Sequence, residues 1–361
     1  MMRLIRARID SGALRSNLRA VRTHAPHSRV MAVVKANAYG HGLVATALAL
    51  AEADAFAVAR LEEAIALRAA GLTPPIVLLE GVFSDEQLAE AAQHQLELVV
   101  HQEEQLAMLE RFGAARPWSL WLKIDTGMNR LGFRPEGFAA AWRRLSALKP
   151  APRVRVLTHL AGADEEDGAY TAEQLARLAP LIEGLELELS IANSAAILAQ
   201  PSTHADWVRP GLALYGLSPF AGRRGVQFGL KPAMTLESTV IALREVLAGE
   251  RVGYGGAWRA ARRSRLAIIA AGYGDGLPRS LPSGAPVLIG EQRAPLAGRV
   301  SMDMIAADVT DLPPLRVGER VELWGARLPV EELAAAAGTI PYELVCAVSQ
   351  RVPIEMSGLG A

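Results

Sequence analysis

The chain has 361 residues, 51% of them hydrophobic and 21% charged, with 32 glycines and 21 prolines, a balance that excludes disordered or collagen-like organisation. Lys plus Arg and Asp plus Glu both total 38, so the formal net charge is zero and no overall field selects nucleic acid or anionic lipid as a partner. The single cysteine, Cys346, excludes an intramolecular disulfide framework and a multi-cysteine metal site, and it suits a reducing compartment.

In chain order, residues 1–10 carry arginines where a signal peptide needs an unbroken apolar stretch. The uncharged run at 189–205 is interrupted by Asn193, Gln200, Pro201 and His204, too polar for a bilayer span. A cytoplasmic protein is expected. From about residue 10 to 216, β-rich runs alternate with segments of helical period. Strands are predicted at 31–35, 55–59, 75–80, 96–101, 119–125, 154–159, 187–193 and 207–215, with helices at 61–70, 86–95, 103–111, 135–148 and 172–181. Eight such units, with no Gly-x-Gly-x-x-Gly turn after the first strand, predict an α/β fold of the (β/α)8 TIM-barrel type rather than an open dinucleotide-binding sheet. Beyond about 229 the texture changes: 236–243, 265–270, 287–290, 304–309 and 320–324 read as strands joined by Gly- and Pro-rich turns, with one helix at 331–337. The predicted organisation is a barrel over 10–228 followed by a mainly β C-terminal domain over 229–361, joined by residues 1–9.

Barrel active sites lie at the carboxyl ends of the strands, and chemistry collects there. The first strand ends in Lys35, the fifth runs through Lys123 and Asp125 towards Arg130, the sixth ends in His159, the seventh in Asn193-Ser194, and the eighth carries Arg209 before Pro210-Gly211. An amine rising from an apolar barrel interior is desolvated towards its neutral, nucleophilic form, which suits a Schiff base; a lysine paired with a carboxylate explains Lys35 equally well by itself. Ser194 at a helix start and the free N–H groups after Arg209 offer a phosphate cradle in the loops where barrels bind phosphate. Together they suggest pyridoxal phosphate.

The segment Val33-Val34-Lys35-Ala36-Asn37-Ala38-Tyr39-Gly40-His41-Gly42 resembles the pyridoxal-phosphate attachment segment of the alanine racemases. The resemblance continues in order through 123–132, 158–160, 192–196, 208–211, 252–256, 272–276, 298–303 and Tyr342-Glu343, which covers practically the whole chain. It implies that Lys35 and Tyr254 are the two catalytic acid/bases, one on each face of the substrate Cα, because a single base tends to return the proton to the side it came from. It implies that pyridoxal 5′-phosphate is held by Lys35, Tyr39, His159, Ser194, Arg209, Gly211, Leu212 and Tyr342, with the always-charged Arg209 at the pyridine nitrogen. Arg130 and the Met302 N–H are the implied contacts of the substrate carboxylate, and Tyr273 part of a narrow entry. Lys123 occupies a position open to carbamylation in the family. The implied protein is a homodimer with shared active sites, binds no metal, and makes D-alanine for peptidoglycan. Against it stand a racemase of broader specificity, a non-catalytic pyridoxal-phosphate carrier, which would lack the β domain and with it Tyr254 and Met302, and a class I aldolase, which would leave the phosphate cradle and Arg209 unexplained. The sequence departs from the family at Ile354, where relatives often carry another arginine after Arg351-Val352-Pro353.

Overall fold

The structure, a computed structural model, describes residues 4–113 and 116–358. Residues 1–3, 114–115 and 359–361, which include the start of the expected 1–9 segment and the end of the expected C-terminal domain, lie outside the described residues.

Strand β1 (Arg6–Asp10) comes first in the chain but takes no part in the barrel. The barrel is formed by β2 (Arg29–Val33), β3 (Ala55–Val58), β4 (Ile76–Leu78), β5 (Glu97–Val100), β6 (Ser119–Lys123), β7 (Arg153–Leu157), β8 (Leu189–Ser190) and β9 (Trp207–Val208), all parallel, with β9 pairing back on β2. Apolar runs such as Met31 to Val33 and Ala55 to Val58 are fully covered on both faces, as a sheet wrapped by helices requires. The strands end earlier than the sequence predicts because the backbone leaves the ladder early. The expected eighth strand stops at Val208, since Pro210 has no N–H to donate and Leu212–Tyr215 coils into a 3₁₀ turn. The expected first strand stops at Val33, two residues before Lys35.

One end of the barrel interior is charged rather than apolar. Arg155 donates to Glu97 at 3.1 Å and to Glu188 at 2.9 Å, the Trp121 indole donates to Glu97 at 2.7 Å, and the Trp207 indole to Glu188 at 2.8 Å. The Arg155 guanidinium also lies over the Trp121 ring at 4.9 Å. Arg155 and Glu97 are buried and paired, the condition under which charges persist in an interior, and the half-buried Glu188 lies at the edge of the cluster.

The described residues form two compact units, one comprising those of 17–38 and 43–214, the other those of 4–16, 39–42 and 215–358. The second unit is built on an antiparallel sheet, mixed only at its edge. Its strands are β1, β10 (Met234–Val246), β13 (Ser264–Ile269), β14 (Pro286–Ile289), β15 (Gln292–Pro295), β16 (Ile305–Asp308), β17 (Arg320–Trp324) and β18 (Ile354–Ser357), while β11 (Arg251–Val252) and β12 (Trp258–Arg259) form a separate ribbon. The spatial order is β15-β14-β17-β10-β1-β18, and β13 joins β10 to β16. The 13-residue β10 serves three partners by dividing its length: residues 234–239 pair with β1 and β17, and residues 240–246 pair with β13 in a ladder whose register shifts between Val240 and Ala242. No helix among the described residues is long and apolar enough to cross a membrane.

Candidate functional site

The chain leaves β2 through a backbone that L-residues rarely adopt. Ala36, Asn37, Ala38 and Tyr39 all have φ between 51° and 55°, a left-handed run immediately after Lys35. Left-handed backbone costs about 1–2 kcal/mol per residue for an L-amino acid, so the surrounding contacts must hold it. The Ala38 N–H donates to the Val34 carbonyl at 2.9 Å, the Asn37 side chain accepts from the Leu43 N–H at 2.8 Å, and Glu63 accepts from the N–H groups of Ala59 and Arg60 at 3.0 and 3.1 Å. Lys35, half-buried, is fixed at the start of this strained turn.

Four cations of the barrel unit share one field. Burial, followed by the charges of Arg209, Arg130 and Lys35, pushes the Lys123 ammonium down to about 8, against the opposing charge of Asp125. Arg130 reaches this neighbourhood on a loop that folds back, with Phe133 donating to the Lys123 carbonyl at 2.8 Å and Asp125 donating to Phe133 at 2.9 Å. The Asp125 carboxylate accepts from the N–H groups of Gly127 and Asn129, which closes the turn. The helix Ala169–Ile182 then ties this loop to the end of β7: Gln174 donates to the Thr126 hydroxyl and to the His159 carbonyl.

Arg209 is buried and tightly placed. Its guanidinium donates to Ser190 Oγ at 2.6 Å and to the carbonyls of Thr158 and Ile191 at 2.6 and 3.2 Å, with His159 Nδ1 3.4 Å from Nη2. Burial pushes Arg209 down to about 10, which still leaves it charged at neutral pH. Arginine can only donate, so any hydrogen bond between Nη2 and His159 Nδ1 has the imidazole as acceptor. Burial, with the cations Arg209, Lys123, Arg130 and Lys35, holds His159 well below the usual histidine range. The imidazole is neutral.

On the neighbouring loop, Ser194 Oγ accepts from the N–H groups of Gly211 at 2.9 Å and Ala213 at 3.2 Å, which leaves its own proton free to donate. The Leu212 N–H has no backbone partner among the described residues. Thus Lys123, His159, Ser194, Arg209, Gly211 and Leu212, all expected from sequence, lie in or next to the ends of barrel strands.

The remaining expected residues belong to the second unit. Tyr39 stacks on Tyr215 with ring centroids 4.8 Å apart and lies 6.0 Å from the Tyr342 ring; burial raises its phenol above the ordinary tyrosine value. His41 Nδ1 bonds the Tyr39 carbonyl at 2.8 Å and packs its ring on Tyr215. Tyr254, on a 3₁₀ turn after β11, is 66% exposed, and the turn lies against Arg299: a Cβ on Gly255 would come 3.6 Å from that guanidinium. The loops carrying Tyr273 and Met302 are hydrogen-bonded to each other, Tyr273 N–H to the Ser301 carbonyl at 3.0 Å and Gly274 N–H to the Met302 carbonyl at 2.9 Å. The Met302 N–H has no hydrogen-bond partner among the described residues, and the residue is exposed.

Sequence reading missed Ser190. Its signal was present: period-two alternation along the strand predicted at 187–193 puts Glu188 and Ser190 on one face, and the two accept bonds from Arg155 and Arg209.

Family models described as the alanine racemase N-terminal and C-terminal domains match residues 9–219 and 233–356. The chain is 50% identical over 360 residues to an alanine racemase of Edwardsiella ictaluri, covering 99% of each chain. It is 51% identical over 352 residues to one of Azoarcus sp., covering 97% of this chain and 99% of the relative. The crystal structure of the biosynthetic alanine racemase from Pseudomonas aeruginosa superposes with a TM-score of 0.96 at 46% identity, covering 99% of this chain and 100% of that one.

Proposed function

The chain belongs to the alanine racemase family, and from that premise we propose that it interconverts L- and D-alanine with pyridoxal 5′-phosphate, in the cytoplasm, supplying D-alanine for peptidoglycan. The observation that carries the reading is the set of cations at the barrel-strand ends, Lys35, Lys123, Arg130 and Arg209, whose combined charge outweighs that of Asp125 at Lys123. Such a field suits a doubly charged phosphate ester and an amino-acid carboxylate, and the Ser194 hydroxyl and Leu212 N–H are donors free to meet them. The residues present therefore fit the cofactor, which Lys35, Tyr39, His159, Ser194, Arg209, Gly211, Leu212 and Tyr342 would hold.

When bound, pyridoxal phosphate supplies the electron sink that makes the α-proton of alanine acidic. The protein supplies the acid/base groups and the environment. Lys35 takes or returns the proton on one face of Cα, and Tyr254, from a second copy of the chain, does so on the other. Arg209, charged and committed to three oxygen acceptors, would face the ring nitrogen as a hydrogen-bond donor and a poor proton source, which would keep the sink weak and favour prompt reprotonation. Neutral His159 would help hold the ring without adding a charge. Arg130 and the Met302 N–H hold the substrate carboxylate, and Tyr273 narrows the entry to small side chains. The domain boundary near residue 229, the homodimer and carbamylation of Lys123 are parts of the same proposal.

The test is a chiral assay on purified, cofactor-loaded protein with L- and D-enantiomers of alanine and larger amino acids. Alanine should be turned over fastest in both directions, and Lys35→Ala should lose both the activity and the cofactor fixed by borohydride. Absence of D-alanine from L-alanine overturns the reading.

A further inference from the structure

Three loop segments of the second unit, Gly272–Gly276, Ser301–Asp303 and Ala347–Arg351, meet around one arginine. The Arg351 Nε donates to Asp275 at 2.8 Å and its Nη2 to Asp303 at 2.7 Å, so a single planar guanidinium bridges two loops. Asp275 is the buried partner, with a side chain 4% exposed, and its other oxygen accepts the Gly272 N–H at 2.8 Å. Ser349 completes the joint: its N–H donates to the Asp275 carbonyl at 3.1 Å and its hydroxyl to the Gly274 carbonyl at 2.8 Å. There is no slack. A Cβ on Gly272 would strike the Met302 carbonyl, and one on Gly274 would come 3.0 Å from both Arg351 Cζ and the Met302 oxygen.

The loops so joined carry Tyr273 and Met302, which stay 42% and 53% exposed while the backbones of the two loops are bonded to each other, Tyr273 to Ser301 and Gly274 to Met302. A rigid backbone under exposed side chains is what a binding edge needs, since a shift of about 1 Å in a positioning group costs as much as a hundredfold in rate. We propose that Arg351 is a positioning residue that sets the Met302 N–H and Tyr273 for the substrate, acting through Asp275 and Asp303 and touching no substrate itself. This rests on the proposed role of Met302 and Tyr273 in binding alanine. Fork geometry matters here: lysine keeps the charge but cannot bond two carboxylates in one plane.

The experiment uses the holoenzyme and two readouts. Amide exchange is followed in peptides covering 272–276 and 301–304, and KM and kcat are measured for alanine in both directions. Arg351→Met should speed exchange in both peptides and raise KM about tenfold with kcat within about threefold of wild type, with Arg351→Lys recovering only part. Asp303 is an exposed partner, so Asp303→Asn is a variant that folds independently of the buried pair; it should raise KM in the same direction, and the double variant should be no worse than Arg351→Met. Unchanged exchange and KM, or effects of the two substitutions that multiply, overturn the inference. Exchange does not depend on the substrate, so a wild type that fails to racemise alanine while Arg351→Met still loosens both loops sinks the proposed function and leaves the clamp standing.

Discussion

Lys123 shows what the concentration of positive charge costs. Its ammonium is buried at the end of β6, facing Arg209, Arg130 and Lys35, and is pushed down to about 8. An amine whose value is lower folded than unfolded lets the unfolded chain bind more protons between those two values. The penalty is therefore full below about pH 8 and fades as pH rises towards the free-lysine range. In cofactor-free protein and carbon-dioxide-free buffer, Lys123→Gln should raise stability at pH 7 by on the order of 2 kcal/mol, and the gain should disappear near pH 10. Urea unfolding at the two pH values measures it; a gain independent of pH would show that charge is not the source. The same residue explains part of what sequence could read. Lys123, His159 and Arg209 were legible because strand ends in a barrel have a known address. Ser190 and Arg351 were not, because a serine in a strand and an arginine near the chain end acquire meaning only through partners 19 and 76 residues away.

At the scale of elements, the left-handed run from Ala36 to Tyr39 is where local preference and tertiary structure disagree most. Four alanine, asparagine and tyrosine positions with positive φ contradict any propensity-based reading, which continues the strand to Lys35 and opens a turn on glycine. The glycines beside it do obey the rule. Gly40 has φ +77, and a Cβ there would collide with the Val345 carbonyl, whereas Gly71 has φ +85 and open space. Gly71→Ala should cost about 1 kcal/mol from backbone strain alone, and Gly40→Ala more than about 3 kcal/mol, because strain and collision add. Thermal unfolding of the two variants separates the terms; equal losses would mean that the collision relaxes. Barrel strands were found in number and order, with carboxyl ends displaced by one to seven residues, since the apolar pattern persists after the hydrogen-bond ladder stops: Leu212 to Tyr215 is as apolar as β9 but is coiled. β11, β12, β15 and β18 escaped because runs of two to four residues rich in arginine, proline or glutamate carry no usable periodicity.

For the whole molecule, the strongest check on shared sites is complementation. Lys35→Ala and Tyr254→Phe proteins, each inactive, should recover roughly a quarter of wild-type activity when mixed equally with free subunit exchange, because half the pairs are mixed and half their sites intact. Demonstrated exchange without activity would place both groups in one chain or misassign one of them. β1 adds a constraint of another kind. It lies between β10 and β18, pairing Arg6 with Glu237 and Ala7 with Ile354. Every barrel strand is complete by Val208, before either of those partners exists on a growing chain. At about 5–20 residues per second, the Glu237 partner of Arg6, 231 positions on, emerges roughly ten to fifty seconds later. The opening strand thus leaves the ribosome long before its sheet, and waits unpaired while the barrel is translated.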